Sequence, residues 1–173
     1  NNVTITTGTS GAQAGDITLS GATINKTGGG DATLTLKADN SILTSGINTI
    51  SSSAGKLHTI FWADANVHSG TAGGIIQLND TTISTNGGDL VLAGGADNGA
   101  NGGAAADGRP DNYAWGNAGT DDGITLNNTD INAGGGDFRL LGHGRNNAAS
   151  SDQAGIKINT GSLLQTSGSG GFT

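Results

Sequence analysis

Aromatic, acidic and basic side chains gather in one glycine-rich segment, AGGADNGANGGAAADGRPDNYAWGNAGTDDG, which spans residues 93–123. Such a mixture suits sugar recognition, because apolar pyranose faces stack on aromatic rings while sugar hydroxyls need paired donors and acceptors. Segments on either side add an indole, imidazoles and a guanidinium group. The candidate contact residues are Trp62, His68, Arg109, Asp111, Tyr113, Trp115, Asp121, Asp122, His143 and Arg145.

The aromatic residues of this insert also have a structural interpretation. A loop of this length must be fixed to the body of the protein, and Tyr113 and Trp115 are the obvious anchors. We expect anchoring to be their main role and keep ligand stacking as the alternative.

Glycine runs followed by aspartate form a second candidate motif, since phosphate-binding and calcium-binding loops have a similar composition. No Gly-Lys-Ser/Thr follows, however, and the runs lie too far apart for tandem calcium-binding nonapeptides. We expect structural corners, in which glycine permits positive φ and aspartate hydrogen-bonds the turn backbone. The corner residues are Gly28, Gly29, Gly30, Asp31, Gly87, Gly88, Asp89, Gly134, Gly135, Gly136 and Asp137.

Patterns for catalysis and metal binding are weak. His58, His68 and His143 lie in different segments without metal-ligand spacing, and no nucleophile-elbow motif is present, so we expect no enzyme. A polysaccharide-cleaving site, if there were one, would use two carboxylates and an arginine of the insert. No cofactor is expected, although calcium stays open. The residues for these two alternatives are Arg109, Asp121 and Asp122 for cleavage, and Asp97, Asp107, Asp111, Asp121 and Asp122 for calcium.

The composition is that of a glycine-rich, acidic chain. Its 173 residues include 33 glycines and no cysteine, the net charge is −7, and only 12% of the residues are charged. Singly scattered cations disfavour nucleic acid binding, and no apolar run approaches the roughly 18 residues of a membrane span. The sequence starts without Met and without a signal-like segment, which predicts a mature chain or an excised piece of a longer one. The abundance of Asn, Thr and Ser, which we expect at the surface, favours secretion.

One repeat template accounts for most of the sequence. Its three clear copies read GDITLSGATINKTGGGDATL, GIIQLNDTTISTNGGDLVL and GITLNNTDINAGGGDFRL, and two weaker copies follow the same order. Apolar residues alternate with polar ones, which predicts strands, and each copy offers three short strands. The copies begin at residues 15, 74 and 123 for the clear ones, and at 42 and 155 for the weaker ones.

Short strands that recur in a fixed order must stack to bury a common core. We therefore predict an all-β fold, a right-handed parallel β-helix (β-solenoid) of about five coils, as one domain over residues 1–173. Ile24, Ile83, Ile131 and Leu163 are expected to fill the inward position of the second strand. Most length variation follows the third strand, so loops should emerge on one edge. These connections are residues 6–16, 37–41, 61–75, 93–123 and 141–155.

Several segments, GDITL, ISTNGGDLVLAGG, GITLNNTDINAGGGDFRLLG and LLQTSGSGG, resemble the β-helical repeats of filamentous-haemagglutinin-like exoproteins. These are large bacterial surface adhesins that are often exported by two-partner secretion. The resemblance implies a rigid shaft at the bacterial cell surface or outside the cell, with a structural or adhesive role and no catalytic activity. Its partners would be further copies of the repeat or of the chain through the β-helix ends, and host or matrix glycans along the loops.

Two other functions stay open at this stage. The chain could be the subunit of an extracellular filament that stacks end to end, because the ends of a β-helix carry unpaired strand edges. It could also be a β-helix that binds or cleaves polysaccharides through the long insert.

Overall fold

The computed structural model describes residues 1–8, 13–66, 73–100, 104–145, 153–167 and 170–173. Its regular elements are short β-strands, which follow from the alternation of apolar and polar residues. In chain order the strands are β1 (Val3–Thr6), β2 (Ile17–Ser20), β3 (Thr23–Lys26), β4 (Ala32–Lys37), β5 (Ile42–Ser45), β6 (Asn48–Ser52), β7 (Leu57–Ala63), β8 (Ile76–Asn79), β9 (Thr81–Ser84), β10 (Leu90–Gly94), β11 (Ala114–Trp115), β12 (Ile124–Asn127), β13 (Asp130–Asn132), β14 (Phe138–Leu140), β15 (Gly142–His143), β16 (Ile156–Ile158) and β17 (Leu163–Gln165).

Three parallel sheets of five strands each run along the described part of the molecule. Sheet A has the order β1-β4-β7-β10-β14, sheet B has β2-β5-β8-β12-β16, and sheet C has β3-β6-β9-β13-β17. The chain visits the three sheets in a repeated cycle, so each strand pairs with its equivalents one coil below and one coil above. The prediction of an all-β parallel β-helix of about five coils is confirmed.

Equivalent apolar side chains of successive coils stack into columns inside the solenoid. In sheet B the register aligns five isoleucines, and the three in the middle coils have no solvent exposure. Burial of one such side chain contributes about 1.5–3 kcal/mol, so the columns supply most of the driving force for stacking. The isoleucines of this column are Ile17, Ile42, Ile76, Ile124 and Ile156.

Two positions differ from the expected columns. Ile131 pairs with Leu164, which packs against the core, whereas Leu163 is exposed; the expectation for Leu163 was therefore wrong. The bend before β17 is one residue longer than the equivalent bend before β13, and a slip of one residue exchanges the two faces of a strand. In sheet A, the buried Thr59 stands between Leu34 and Leu90 in an otherwise apolar column.

The bend between sheets B and C is tight and requires a left-handed backbone. Gly21, Gly46, Asp80 and Asn128 occupy equivalent positions there, with φ of 58°, 65°, 47° and 46°. Glycine adopts this conformation freely, and Asn and Asp tolerate it better than other side chains. This preference explains why the first four coils each place one of these residue types directly after the first strand; in the last coil the positive φ, 87°, falls at Gly161.

A second apolar cluster lies on the outer face of sheet A. Ile60 and Trp62 of β7, and Val91 and Ala93 of β10, point away from the main core, yet all four are buried. Leu141 packs against them. Strands that are buried on both faces carry continuous apolar runs, which accounts for the segments TIFWA and LVLAG.

The long connections of the described chain all run from sheet A to sheet B. They follow β1, β7, β10 and β14, whereas the link after β4 has only the four residues 38–41. The links from sheet B to sheet C and from sheet C to sheet A are bends of one to five residues. The expected concentration of length variation after the third strand is thus confirmed, although β7 and β10 extend the regular structure to Ala63 and Gly94.

Candidate functional site: the loop edge

A short additional sheet marks the edge between sheets A and B. Strands β11 and β15 pair in parallel, with Ala114 beside Gly142 and Trp115 beside His143. The amide of Trp115 donates to the Gly74 carbonyl oxygen at 2.9 Å, which fixes β11 to the coil below. We name the surface formed by Tyr113, Trp115, Asp121, His143 and Arg145 the loop edge.

Three rings form the centre of the loop edge. Trp115 stacks on His143 with 3.9 Å between ring centroids and an interplanar angle of 28°, and Tyr113 meets His143 edge-on at 5.9 Å. His143 is exposed, and the other two are half-buried. The Tyr113 hydroxyl and Trp115 Nε1 have no hydrogen-bond partner among the described residues. The rings therefore present polar atoms that a ligand could use.

Ion pairs flank this aromatic group. Arg145 Nη1 lies 3.6 Å from Asp121 Oδ1, and the Arg145 amide donates to the Asp121 carbonyl oxygen at 2.7 Å. Asp122 is buried, where it accepts a hydrogen bond from the Ala154 amide at 2.8 Å and lies 3.4 Å from Lys157 Nζ. Asp121 and Arg145 thus belong to the surface, whereas Asp122 connects its own coil to the next one through Ala154 and Lys157.

The insert is fixed to the body through Asp111. This carboxylate has no solvent exposure; Oδ1 accepts from Arg139 of β14 at 2.7 Å, and Oδ2 accepts from the Gly99 amide at 2.6 Å. An antiparallel bridge between Gly94 and Asn112 adds to the attachment. Tyr113 and Trp115, the expected anchors, remain partly exposed. A buried carboxylate needs a cation and further hydrogen-bond donors, and Asp111 has both. Asp111 is therefore held more firmly than the two aromatic residues.

Arg109 adds a second attachment at a corner of the solenoid. Its Nη2 lies 3.2 Å from Asp89 Oδ2, and His58 Nδ1 lies 3.3 Å from the same oxygen. Partial burial raises the pKa of Asp89, but the Asp137 amide, the charge of His58 and the Arg109 guanidinium together outweigh it and lower the pKa below its usual 3.8. When His58 is neutral, its Nδ1 can accept a hydrogen bond from the Asp89 amide, 3.1 Å away, in place of the ion pair.

The remaining expected contact residues lie elsewhere. Trp62 is only 8% exposed, and its Nε1 donates to the Gly95 carbonyl oxygen at 2.7 Å while Lys37 Nζ sits 3.9 Å from its ring centroid. Trp62, Asp111 and Asp122 are therefore structural residues beneath the surface that was expected to contain them. His68 falls outside the described residues.

The glycine corners combine positive φ with close contact between coils. Gly29, Gly87, Gly134 and Gly135 have φ of 75°, 86°, 60° and 105°. A Cβ atom on Gly88 would come within 2.4 Å of the Leu57 backbone, and one on Gly136 within 2.2 Å of the Gly88 carbonyl oxygen. By contrast, Cβ atoms on Gly28 and Gly30 would meet nothing within 4 Å. Glycine is thus required by sterics at some corner positions and by backbone conformation at others.

The corner aspartates bond to a different group from the one expected. Asp31 accepts from the Lys56 amide at 2.8 Å, Asp89 from the Asp137 amide at 3.1 Å, and Asp137 from the Gly171 amide at 2.8 Å. Each of these amides belongs to the next coil rather than to the aspartate's own turn. The aspartates therefore tie successive coils together, which a sequence pattern confined to one turn does not reveal.

The residues that the sequence offered for calcium and for polysaccharide cleavage do not form one cluster in the described ranges. No group of three or more His, Asp or Glu residues there is arranged to hold a metal ion. Asp97 accepts from the Ala106 and Gly108 amides at 3.1 and 2.9 Å, within its own loop. Arg109, Asp121 and Asp122 each engage a different partner. No described helix is long and apolar enough to cross a membrane.

Comparisons with protein-family models, curated proteins and solved structures found no match. The functional argument therefore depends on the geometry of the loop edge and of the solenoid that holds it.

Proposed function

We propose that this chain is a non-catalytic structural and adhesive β-solenoid segment of a bacterial protein that acts outside the cell or at its surface. The solenoid body supports the loop edge, and the loop edge is the contact surface. One observation carries the proposal: the variable connections leave the body on a single side, and partly exposed rings with unused polar atoms stand there on a fixed backbone.

A rigid support favours binding because little conformational entropy is lost when the ligand arrives. A polar ladder ties the coils together at the bend between sheets B and C, where the strands of sheet B end. Asn127 Nδ2 donates to Asn79 Oδ1 at 2.6 Å, and Asn159 Nδ2 donates to Asn127 Oδ1 one coil higher. Asn79 Nδ2 in turn donates to the Thr44 carbonyl oxygen at 3.0 Å. Side-chain bonds thus continue from coil to coil through the body that carries the rings.

Neutral glycans are the ligand class that fits this surface. The Tyr113, Trp115 and His143 rings can contact the apolar face of a pyranose, while the Asp121 and Arg145 pair offers an acceptor and donors for hydroxyl groups. The net charge of −7 disfavours polyanionic polysaccharides at long range. We therefore choose neutral hexose oligosaccharides as probes.

The test is binding of purified chain to a panel of neutral hexose oligosaccharides. Tyr113→Ala and His143→Ala should each weaken binding by about tenfold or more, while the melting temperature stays close to that of the unchanged chain. Thr82→Ala is the matched control, because Thr82 is exposed on the outer face of sheet C. The proposal fails if no oligosaccharide binds, or if the control loses as much affinity as the loop-edge variants.

A further inference from the structure

The outer face of sheet C carries a row of identical side chains on three successive coils. Thr23 pairs with Thr49, and Thr49 pairs with Thr82, so the threonines of β3, β6 and β9 stand in register. Neighbouring strands lie about 4.8 Å apart, and residues two apart in a strand lie about 6.6 Å apart. A second row, two residues further along each strand, completes a regular grid that we name the threonine face. This second row consists of Asn25, Ser51 and Ser84.

The threonine face is held in place by the core beneath it. In each of its strands an isoleucine separates the two rows and packs inward, and Ile50 and Ile83 are almost fully buried. Thr23 and Thr82 are exposed, and Thr49 between them is half-buried. Branching at Cβ restricts the rotation of a threonine side chain, so each hydroxyl and methyl group has few available positions. The grid is therefore both regular and stiff.

The hydroxyl groups of the threonine row are not used inside the protein. Thr23, Thr49 and Thr82 have no side-chain hydrogen-bond partner among the described residues. By contrast, the buried Thr81 lies 3.0 Å from the Thr44 hydroxyl and donates to the Asn79 carbonyl oxygen at 2.8 Å. A hydroxyl group can donate one hydrogen bond and accept two. The threonine row thus offers its full bonding capacity to water or to a ligand.

The other two sheets do not offer an equivalent row in the described part of the chain. In sheet B the column of Asn79, Asn127 and Asn159 repeats one residue type, but its amide groups bond to one another. In sheet A the outer face is covered in the middle coils, where Ile60 and Val91 are buried. The row of sheet C is repeated, uncovered and unbonded at the same time.

The chemistry of the threonine face excludes several ligand classes. No charged or aromatic side chain points outward from β3, β6 or β9. The ammonium group of Lys26, at the end of β3, bonds instead to the Gly29 and Ala54 carbonyl oxygens at the corner. A sugar would find no ring to stack on, an ion no opposite charge, and a protein no large apolar anchor. The ligand that fits is itself a regular array of hydrogen-bonding groups.

We propose that the threonine face binds the surface of ice. Water molecules at that surface repeat in two dimensions and hold their hydrogen bonds in fixed directions. Hydroxyl and amide groups that are already fixed at two constant spacings can join such a lattice with little loss of conformational entropy. The threonine methyl groups add apolar contact between the bonded positions. The loop edge lies between sheets A and B, so ice and glycans would use separate surfaces.

The first test measures ice recrystallisation in frozen solutions of the purified chain. The unchanged chain should keep the ice crystals small, whereas an unrelated protein at the same concentration should not. Thr49→Lys places a long charged side chain at the centre of the row. This variant should need a concentration at least about tenfold higher for the same effect, because a central contact is lost. Thr18→Lys is the matched control, since Thr18 is exposed on the outer face of sheet B, and it should act like the unchanged chain.

The second test measures how much labelled chain enters a slowly growing ice hemisphere. The unchanged chain and Thr18→Lys should be enriched in the ice, and Thr49→Lys should be left in the liquid. Exclusion of the unchanged chain from ice, or free growth of crystals in its presence, would overturn the proposal. Equal behaviour of the two lysine variants would overturn the assignment to the threonine face.

Circular dichroism checks that each variant keeps its β-structure, and Thr82→Lys replaces Thr49→Lys if the latter does not. Binding of neutral hexose oligosaccharides provides a separate readout, which Thr49→Lys should leave unchanged. The ice-binding proposal and the adhesive function can therefore fail independently.

Discussion

Three aspartates of the corners and the insert have different physical roles. Asp111 forms a buried ion pair with Arg139, Asp89 links two coils and the insert, and Asp121 pairs with Arg145 at the surface. Charge interactions strengthen as water is excluded, so these carboxylates should contribute unequally to stability. Their sequence neighbours do not reveal these roles, because burial depends on partners far along the chain.

Asp111→Ala should be among the most destabilising single changes outside the main core. It leaves the Arg139 guanidinium without its buried carboxylate, and loss of one partner of a buried pair costs about 3–5 kcal/mol. Asp121→Ala is the comparison, with an expected loss of about 1 kcal/mol or less. The free energies of unfolding from urea titrations check both values. Equal losses in the two variants would contradict the assignment of Asp111 as the anchor.

Asp89→Asn should remove a pH-dependent part of the stability. The pKa of Asp89 is lowered in the folded chain: burial opposes the shift, but the Asp137 amide, His58 and Arg109 outweigh it. A lowered pKa gives stability that is complete above the unfolded value and is lost as pH falls through the folded value. Between pH 7 and pH 3 the variant should therefore lose less unfolding free energy than the unchanged chain. If the unfolding free energies of the variant and of the unchanged chain fall in parallel between pH 7 and pH 3, this role of Asp89 is contradicted.

At the scale of the element, the corners between sheets C and A are the positions where coil spacing is most constrained. Gly88→Ala and Gly136→Ala should each cost about 1–3 kcal/mol of unfolding free energy, because the added methyl group overlaps the backbone of the coil beneath. Gly28→Ala should change it by less than about 0.5 kcal/mol, since that site is open. Urea titrations of the three variants provide the measurement. A Gly28 variant as unstable as the others would rule out coil contact as the cause.

The strands could be predicted from the sequence because apolar residues alternate with a period of two and the template recurs. The columns of Ile17 and Ile24 follow directly from that pattern. The slip at Leu163 was missed because one additional residue in a bend leaves the strand pattern intact while it exchanges inward and outward faces. The buried outer face around Trp62 could have been found from the continuous apolar run of β7.

The candidate site was only partly predictable for a related reason. Position in the connections after the third strand correctly brought Tyr113, Trp115 and His143 into one region, because insertions in a solenoid emerge on the same edge. The pairing of Asp111 with Arg139, and the small sheet of β11 and β15, depend on how the insert folds back over the body. No local periodicity encodes such contacts between residues that are distant in sequence.

At the scale of the whole molecule, a regular body is separated from a variable edge. Nearest-neighbour stacking lets each coil contribute to stability through the coils above and below it, so loops can change without loss of the fold.

Hydrogen exchange of the backbone amides, with and without a bound neutral hexose oligosaccharide, tests this separation most directly. The strands of sheets A, B and C should exchange slowly in both states, because their amides are bonded between coils. Added protection on binding should appear in the segments that carry Tyr113, Trp115, His143 and Arg145. Protection on the outer face of sheet C instead, around Thr82 and Asn132, would contradict the assignment of the loop edge as the contact surface.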